Sequence, residues 1–127
     1  MIIITISESL QTVLHDLGYM HGIQASALVS NDGLMMESNI NTHSVDTKTF
    51  GAVIAMLTRS AIHTAKELNK GDIEYLVLFT KKGQIILKKV ASLAILTVLT
   101  ETGTDVSLII VEMKRASEEI KNILAHL

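Results

Sequence analysis

Between Tyr75 and Leu99 the chain passes through three short segments that are apolar almost without a break: Tyr75-Leu76-Val77-Leu78-Phe79, Ile85-Ile86-Leu87 and Ala94-Ile95-Leu96-Thr97-Val98-Leu99. Successive side chains of a strand point to opposite sides, so a strand with one wet face alternates apolar and polar residues. Three strands that do not alternate predict a sheet covered on both faces. Such a sheet needs apolar helices on either side, and the rest of the chain must supply them.

The remaining pattern changes period several times. Leu10, Val13, Leu14 and Leu17 fall at helical spacing within residues 7–20, with Ser7 as N-cap and Gly18 as stop. Ile2, Ile3 and Ile6 either extend that stripe backwards or form an extended arm, and the pattern allows both. Residues 23–30 and 34–38 read as a hairpin. A long helix covers residues 46–68 and ends at Asn69-Lys70-Gly71. Residues 73–80 and 84–90 form a second hairpin around Lys81-Lys82-Gly83, and residues 93–100 a fifth strand. A last helix covers residues 105–125, with Val106, Ile109, Ile110, Met113, Ile120, Ile123 and Leu124 on one face. The order α-β-β-α-β-β-β-α predicts an α+β three-layer sandwich, the middle helix on one side of the sheet and the terminal helices on the other.

At 127 residues, with no proline, no Gly/Ser tract and no charge block, residues 1–127 are expected to form one domain with a core of its own. Hydrophobic residues are 48% but aromatics only 3%, so that core is built from Ile, Leu, Val, Ala and Met. With no cysteine, disulfides, thiolate metal sites and cysteine nucleophiles are excluded. A net charge of −2 does not create the positive field that non-specific nucleic-acid binding needs. The apolar opening, residues 1–6, is too short for a signal core, and no run approaches the roughly 18 apolar residues of a membrane span. The expectation is a soluble cytoplasmic protein with no membrane insertion.

The middle helix is too apolar for a helix with one wet side. Phe50, Val53, Ile54, Leu57, Ala61, Ala65 and Leu68 make one stripe that suffices to dock on the sheet. Gly51, Ala52, Ala55, Met56 and Ile62 continue the apolar surface round the other side, and Arg59 is the only formal charge between Phe50 and Ile62. Two readings follow. Either the outer side is a subunit interface, for which a two-fold homodimer is the simplest symmetric arrangement, or small residues merely make the helix look apolar and only Met56 and Ile62 are exposed.

Tests for chemistry fail one after another. Asn31-Asp32-Gly33 lacks the alternating carboxylates of a calcium loop, and it leads into a strand rather than opening a helix as a phosphate loop does. It has instead the residues a three-residue hairpin turn requires. His15, His21, His43, His63 and His126 are scattered, with no i, i+4 pair of the zinc-helix kind. His43, Ser44 and Asp46 read as helix-entry capping rather than a triad. Glu118 and Glu119 lie beside Lys114, Arg115 and Lys121 on a solvated helix face. Lys81, Lys82, Lys88 and Lys89 do not form one basic patch, because Lys88 and Lys89 point to opposite faces of their strand and the other pair sits at the far end of the hairpin. The expectation is a protein that is not an enzyme, with no catalytic residue, no metal, no cofactor and no nucleic-acid partner.

Over essentially its whole length the chain resembles the roadblock/dynein light chain domain family. The resemblance rests on Gly22-Ile23-Gln24-Ala25-Ser26-Ala27-Leu28-Val29-Ser30-Asn31-Asp32-Gly33-Leu34, on Phe50-Gly51-Ala52 with Ala55, on Lys82-Gly83-Gln84-Ile85-Ile86-Leu87, and on Glu112-Met113 with Ala116 and Ile120. It implies a profilin-like five-stranded antiparallel sheet with one helix on one face and two on the other. It also implies a homodimer in which the middle helices pack together and the third strands pair across the two-fold. Gly51, Ala52, Ala55, Met56, Arg59, Ile62, Glu74, Tyr75 and Val77 are then the expected interface residues. Family members regulate or scaffold small Ras-like GTPases or serve as dynein light chains, and the regulators hold the GTPase's own catalytic residues in place. The resemblance therefore implies a homodimeric, non-catalytic adaptor for a Ras-like GTPase, with Arg59 in an intersubunit or structural role rather than an arginine finger. The alternatives are a nucleotide-independent scaffold or motor light chain, and behind it a small-molecule sensor.

Overall fold

The computed structural model describes residues 4–40 and 45–126. In chain order the elements are α1 (Ile6–Gly18), β1 (Ile23–Ser30), β2 (Met35–Ile40), α2 (Phe50–Glu67), β3 (Leu76–Thr80), β4 (Gly83–Val90), β5 (Ala94–Thr100) and α3 (Val106–Leu124). The strands form one antiparallel sheet in the order β2-β1-β5-β4-β3. β5 is thus central, while β2 and β3 are edges.

Alternation along the strands sorts side chains into two cores. Leu28, Ile86, Val90, Leu96 and Val98 face α1 and α3, packing on Leu10, Leu14, Ile109, Met113 and Ile120. Ala27, Val29, Leu87 and Ile95 face α2 and meet Phe50 and Ile54. The sheet is therefore covered on both sides, as its unbroken apolar strands require. The two helices of the first layer make its core the more deeply buried one. Leu14, Leu28, Ile86, Leu96, Met113 and Ile120 are all sealed from solvent.

Several boundaries differ from the sequence expectation, each for a local reason. The cap of α1 is Thr5, not Ser7: Thr5 Oγ1 accepts from the Glu8 backbone N–H at 3.1 Å. Ser7 lies in the first turn and donates its hydroxyl to Glu37. Gly18 ends α1 as its last residue, and Tyr19 is the C-cap. α2 starts at Phe50 instead of residue 46, because Asp46 Oδ1 accepts from Lys48 N–H at 2.9 Å and closes a turn of its own. His43 and Ser44, read as capping partners, and Ile2 and Ile3 lie outside the described residues. At its other end α2 stops at Glu67, and just beyond it Asn69, with a φ of +58°, lets Lys70 N–H reach Ala65 O at 2.8 Å. β3 begins at Leu76, three residues later than expected, opposite Leu87 of its one neighbour. β2 covers Met35–Ile40 rather than residues 34–38.

The Asn31-Asp32-Gly33 turn is a three-residue hairpin loop. Ser30 N–H donates to Leu34 O at 2.8 Å, and Gly33 has a φ of +92°.

Candidate interaction surface

Gly51 and Ala55 belong to the inner side of α2, not the outer. A Cβ on Gly51 would overlap the carbonyl oxygen of Gly33, so the helix lies directly on the hairpin turn. The quoted turn and the Phe50-Gly51-Ala52 opening are thus two sides of one backbone contact. Ala55 is 1% exposed. With Phe50, Ile54 and Thr58 these residues form the face that docks on the sheet. Val53 and Leu68, placed in the docking stripe on sequence, are instead 52% and 65% exposed. The sequence pattern identified the excess of apolar surface but misplaced the boundary between its two sides.

The outward side of α2 divides into two flanks. One carries Val53, Leu57, Ser60, Thr64 and Leu68 and borders β3. Leu57, Ser60, Thr64 and Leu68 form, with Tyr75 and Leu76, a groove of about 500 Å³. Met56, 61% exposed, sits on the crest above, beside exposed Ala52. β3 continues this surface to the sheet edge, where it has a neighbour on one side only. Phe79, 73% exposed at the end of β3, extends it and was not among the expected residues. Its apolar neighbours hid it, since a fully covered strand and an exposed edge strand have the same composition.

Of the expected β3 residues, Glu74 is exposed and Val77 is half-buried toward the α1–α3 layer. Tyr75 lies under the Lys88 ammonium, 4.4 Å from its ring centroid.

Arg59 and Ile62 lie on the opposite flank, which faces the turns rather than β3. Arg59 Nη1 donates to Asn31 O at 3.4 Å. Ile62 joins Lys66 and Lys89 around a separate cleft. Lys88 and Lys89 do point to opposite faces, one over Tyr75 and the other bonding Asn31 Oδ1 at 2.5 Å. Burial lowers the pKa of the Lys89 ammonium from the usual lysine value.

Among the described residues no three His, Cys, Asp or Glu side chains are grouped to hold a metal ion, and no helix is long and apolar enough to cross a membrane. What the arrangement offers is surface: an apolar flank, an open strand edge and a row of cations across the helix from them.

The model of the Roadblock/LC7 domain family matches residues 10–100. The chain belongs to the roadblock/LC7 domain family. The uncharacterised protein MJ1340 of Methanocaldococcus jannaschii is 35% identical over 109 residues, spanning 86% of this chain and 94% of that protein. Among solved structures, MglB of Myxococcus xanthus superposes with a TM-score of 0.81 at 20% identity, covering 96% of both chains. A second structure, described as MglB with tetrameric arrangement, gives 0.83 at 14% identity, with 96% of this chain and 92% of that one covered. At such identities the likeness is one of fold, and it establishes the roadblock, profilin-like sandwich with three helices and a five-stranded antiparallel sheet. The roadblock motifs quoted from the sequence fall on backbone contacts of this fold: Gly33 against Gly51, and Gly83 against the carbonyl of Thr100.

Proposed function

We propose that this chain is a non-catalytic, homodimeric adaptor that binds a small Ras-like GTPase in the cytoplasm and alters its nucleotide state, residues 1–127 acting as one domain. The observation that carries the reading is the continuity of the apolar α2 flank with the open edge of β3. Val53, Met56, Leu68 and Phe79 are each more than half exposed along that surface. An exposed apolar patch beside an unpaired strand is a liability for a lone chain and an asset for a symmetric partner. Pairing β3 with its copy would join two five-stranded sheets, and the α2 helices would meet over the junction. The tetrameric arrangement of an MglB supports self-assembly of this fold.

The dimer surface proposed here is Ala52, Val53, Met56, Leu57, Ser60, Thr64, Glu74 and Tyr75, with Phe79. Of the residues inferred from the resemblance, Ala52, Met56, Glu74 and Tyr75 stay. Gly51 and Ala55 support the interface from beneath, Val77 from within the sheet, and Arg59 and Ile62 flank it.

Association with a GTPase is the role of the family that the chain resembles, and no side-chain constellation among the described residues points to chemistry of its own. The test is binding of the purified protein to Ras-like GTPases from the same source, each loaded with GDP or with a non-hydrolysable GTP analogue. Preferential binding of one nucleotide form, followed by altered hydrolysis or exchange, is expected. Equal binding of both forms overturns the regulator and leaves a scaffold.

A further inference from the structure

Arg59, Ile62 and Lys66 follow one another at i, i+3 and i+7 on the α2 flank away from β3. Facing Ile62 and Lys66 across a cleft of about 620 Å³ are Asn31, Lys89 and Ser92, with Asp72 and Ile73 closing one end. Arg59 stands at the rim, its guanidinium on the Asn31 carbonyl. Asn31 also accepts from the Lys89 ammonium at 2.5 Å and donates to Ser92 O at 2.8 Å, so it ties both turns and two cations together.

Among the described residues none of these three cations has a carboxylate partner. The ion pairs present are those of Arg115 with Glu112 and Glu119, on another layer. Neither the Asp72 carboxylate nor the Ser92 hydroxyl has a hydrogen-bond partner among the described residues. Like charges gathered around a concave, partly desolvated space favour an anion that enters it. The half-buried Lys89, whose charged form burial already disfavours, gains most from such a partner. The volume falls in the range of small-molecule sites, roughly 300–1,000 Å³.

We propose that this cleft binds a phosphate ester of about mononucleotide size. Lys66, Lys89 and Arg59 take the phosphate oxygens, Ser92 adds a hydroxyl donor, and Ile62 and Ile73 contact the apolar part. Asp72 accepts from a hydroxyl or amino group of the ester, which gives the lone carboxylate of the cleft a role that a bare inorganic anion would not. A concave site with its deepest cation partly buried suits a small ligand better than the side chains of a protein surface. The proposal is independent of the GTPase reading, because the cleft lies across α2 from the apolar groove.

The test uses the full chain at low ionic strength, titrated calorimetrically with inorganic pyrophosphate, AMP and GMP. Saturable binding of pyrophosphate and of at least one nucleotide is expected, weakening in about 0.5 M salt. Lys66→Gln and Lys89→Gln should each weaken it about tenfold, as loss of a charge-assisted bond implies. Asp72→Asn should tighten pyrophosphate binding while weakening the nucleotide relative to it. Lys66 and Asp72 are exposed, so these variants decide the matter even if Lys89→Gln disturbs the fold. No saturation by any probe at about 10 mM, or binding unchanged in Lys66→Gln, overturns the proposal. So does pyrophosphate binding without nucleotide binding, which marks an inorganic anion site. Competition solely by a poly-glutamate peptide overturns it in favour of an acidic protein segment.

Discussion

The two flanks of α2 are made by the same eighteen residues and face different chemistry. Toward β3 the helix offers Val53, Leu57 and Thr64, with aliphatic and hydroxyl surface leading to a strand edge. Toward the turns it offers Ile62 and Lys66, with Arg59 at the rim, opposite Lys89 and Asn31. Nothing along the helix separates these sets except their angle about its axis. The angle is fixed by Gly51, which lets the helix settle on the Gly33 carbonyl. One backbone contact therefore orients a surface suited to a protein partner and another suited to an anion.

The sharpest way to break this comparison is to change the charge on each side of the helix in turn. Met56→Glu should raise the dissociation constant of the proposed dimer about 30-fold or more, as removal of a central interface residue by at least 2 kcal/mol does. Lys66→Gln on the other flank should leave it within about twofold, since exposed surface changes away from an interface rarely exceed 0.5 kcal/mol. Sedimentation equilibrium reads both. If Lys66→Gln dissociates the protein and Met56→Glu does not, the flanks have been assigned the wrong way round.

A second test acts on the contact that sets the angle. Gly51→Ala forces a methyl group against the Gly33 carbonyl, and overpacking of this kind costs about 1–3 kcal/mol. Ala52→Ser, one residue on and exposed, should stay within about 0.5 kcal/mol. Urea unfolding of the two variants compares them directly. A Gly51→Ala protein as stable as its parent would mean that the helix does not depend on this approach for its seat.

Much of the fold is legible in the chain because its signals are local. The span of β1, the Asn-Asp-Gly turn and the apolar face of α3 each depend on residues a few positions apart, and each appears where the pattern places it. Coverage of both sheet faces is legible too, since it is a property of composition along single strands. The division of α2 is not. Its apolar residues wrap most of the way round, so the sequence pattern cannot say which hundred degrees meets the sheet; a carbonyl eighteen positions away decides that. The basic cleft is hidden for the same reason. Along the chain Lys89 neighbours Lys81, Lys82 and Lys88, whereas its neighbours in space come from α2 and the first turn. Thr5 and Ser7 are equally good capping residues two positions apart, and only the hydrogen bond to Glu8 distinguishes them.

The buried threonines under α2 offer a finer comparison. Thr58 Oγ1 donates to Ile54 O at 2.8 Å, while Thr97 Oγ1, fully buried on β5, has no partner among the described residues. A hydroxyl without a partner forfeits its hydration and gains nothing in return. Thr97→Val, which keeps the shape, should be neutral or stabilise the protein by about 1 kcal/mol. Thr58→Val should cost about 0.5–1.5 kcal/mol, because a satisfied bond is lost. Thermal unfolding of the pair is the measurement, and destabilisation by Thr97→Val would show that its hydroxyl is engaged after all.

The smallest effect separates the starts of α2 and α3. Thr49 precedes α2 without any side-chain cap bond, whereas Asp105 accepts from both the hydroxyl and the backbone N–H of Ser107, at 2.6 and 3.1 Å. The Ser107 hydroxyl bond, with the backbone bonds behind it, holds the Asp105 carboxyl below its usual pKa of 3.8. A carboxyl depressed in the folded state contributes stability above the unfolded value and loses it as pH falls through the folded value, where the unfolded chain binds the proton first. Asp105→Asn keeps a capping oxygen but has no charge to lose and no added attraction for the helix N-terminus. The parent should therefore be the more stable of the two near neutral pH, and the gap should close as the pH falls below 3.8 and through the lowered folded value. Amide exchange in the first turn of α3 locates the effect, and that of α2, which has no such cap, serves as the control within the same molecule. A gap that stays constant from neutral pH to acid would mean that Asp105 caps by shape alone, and that its charge adds nothing to the start of α3.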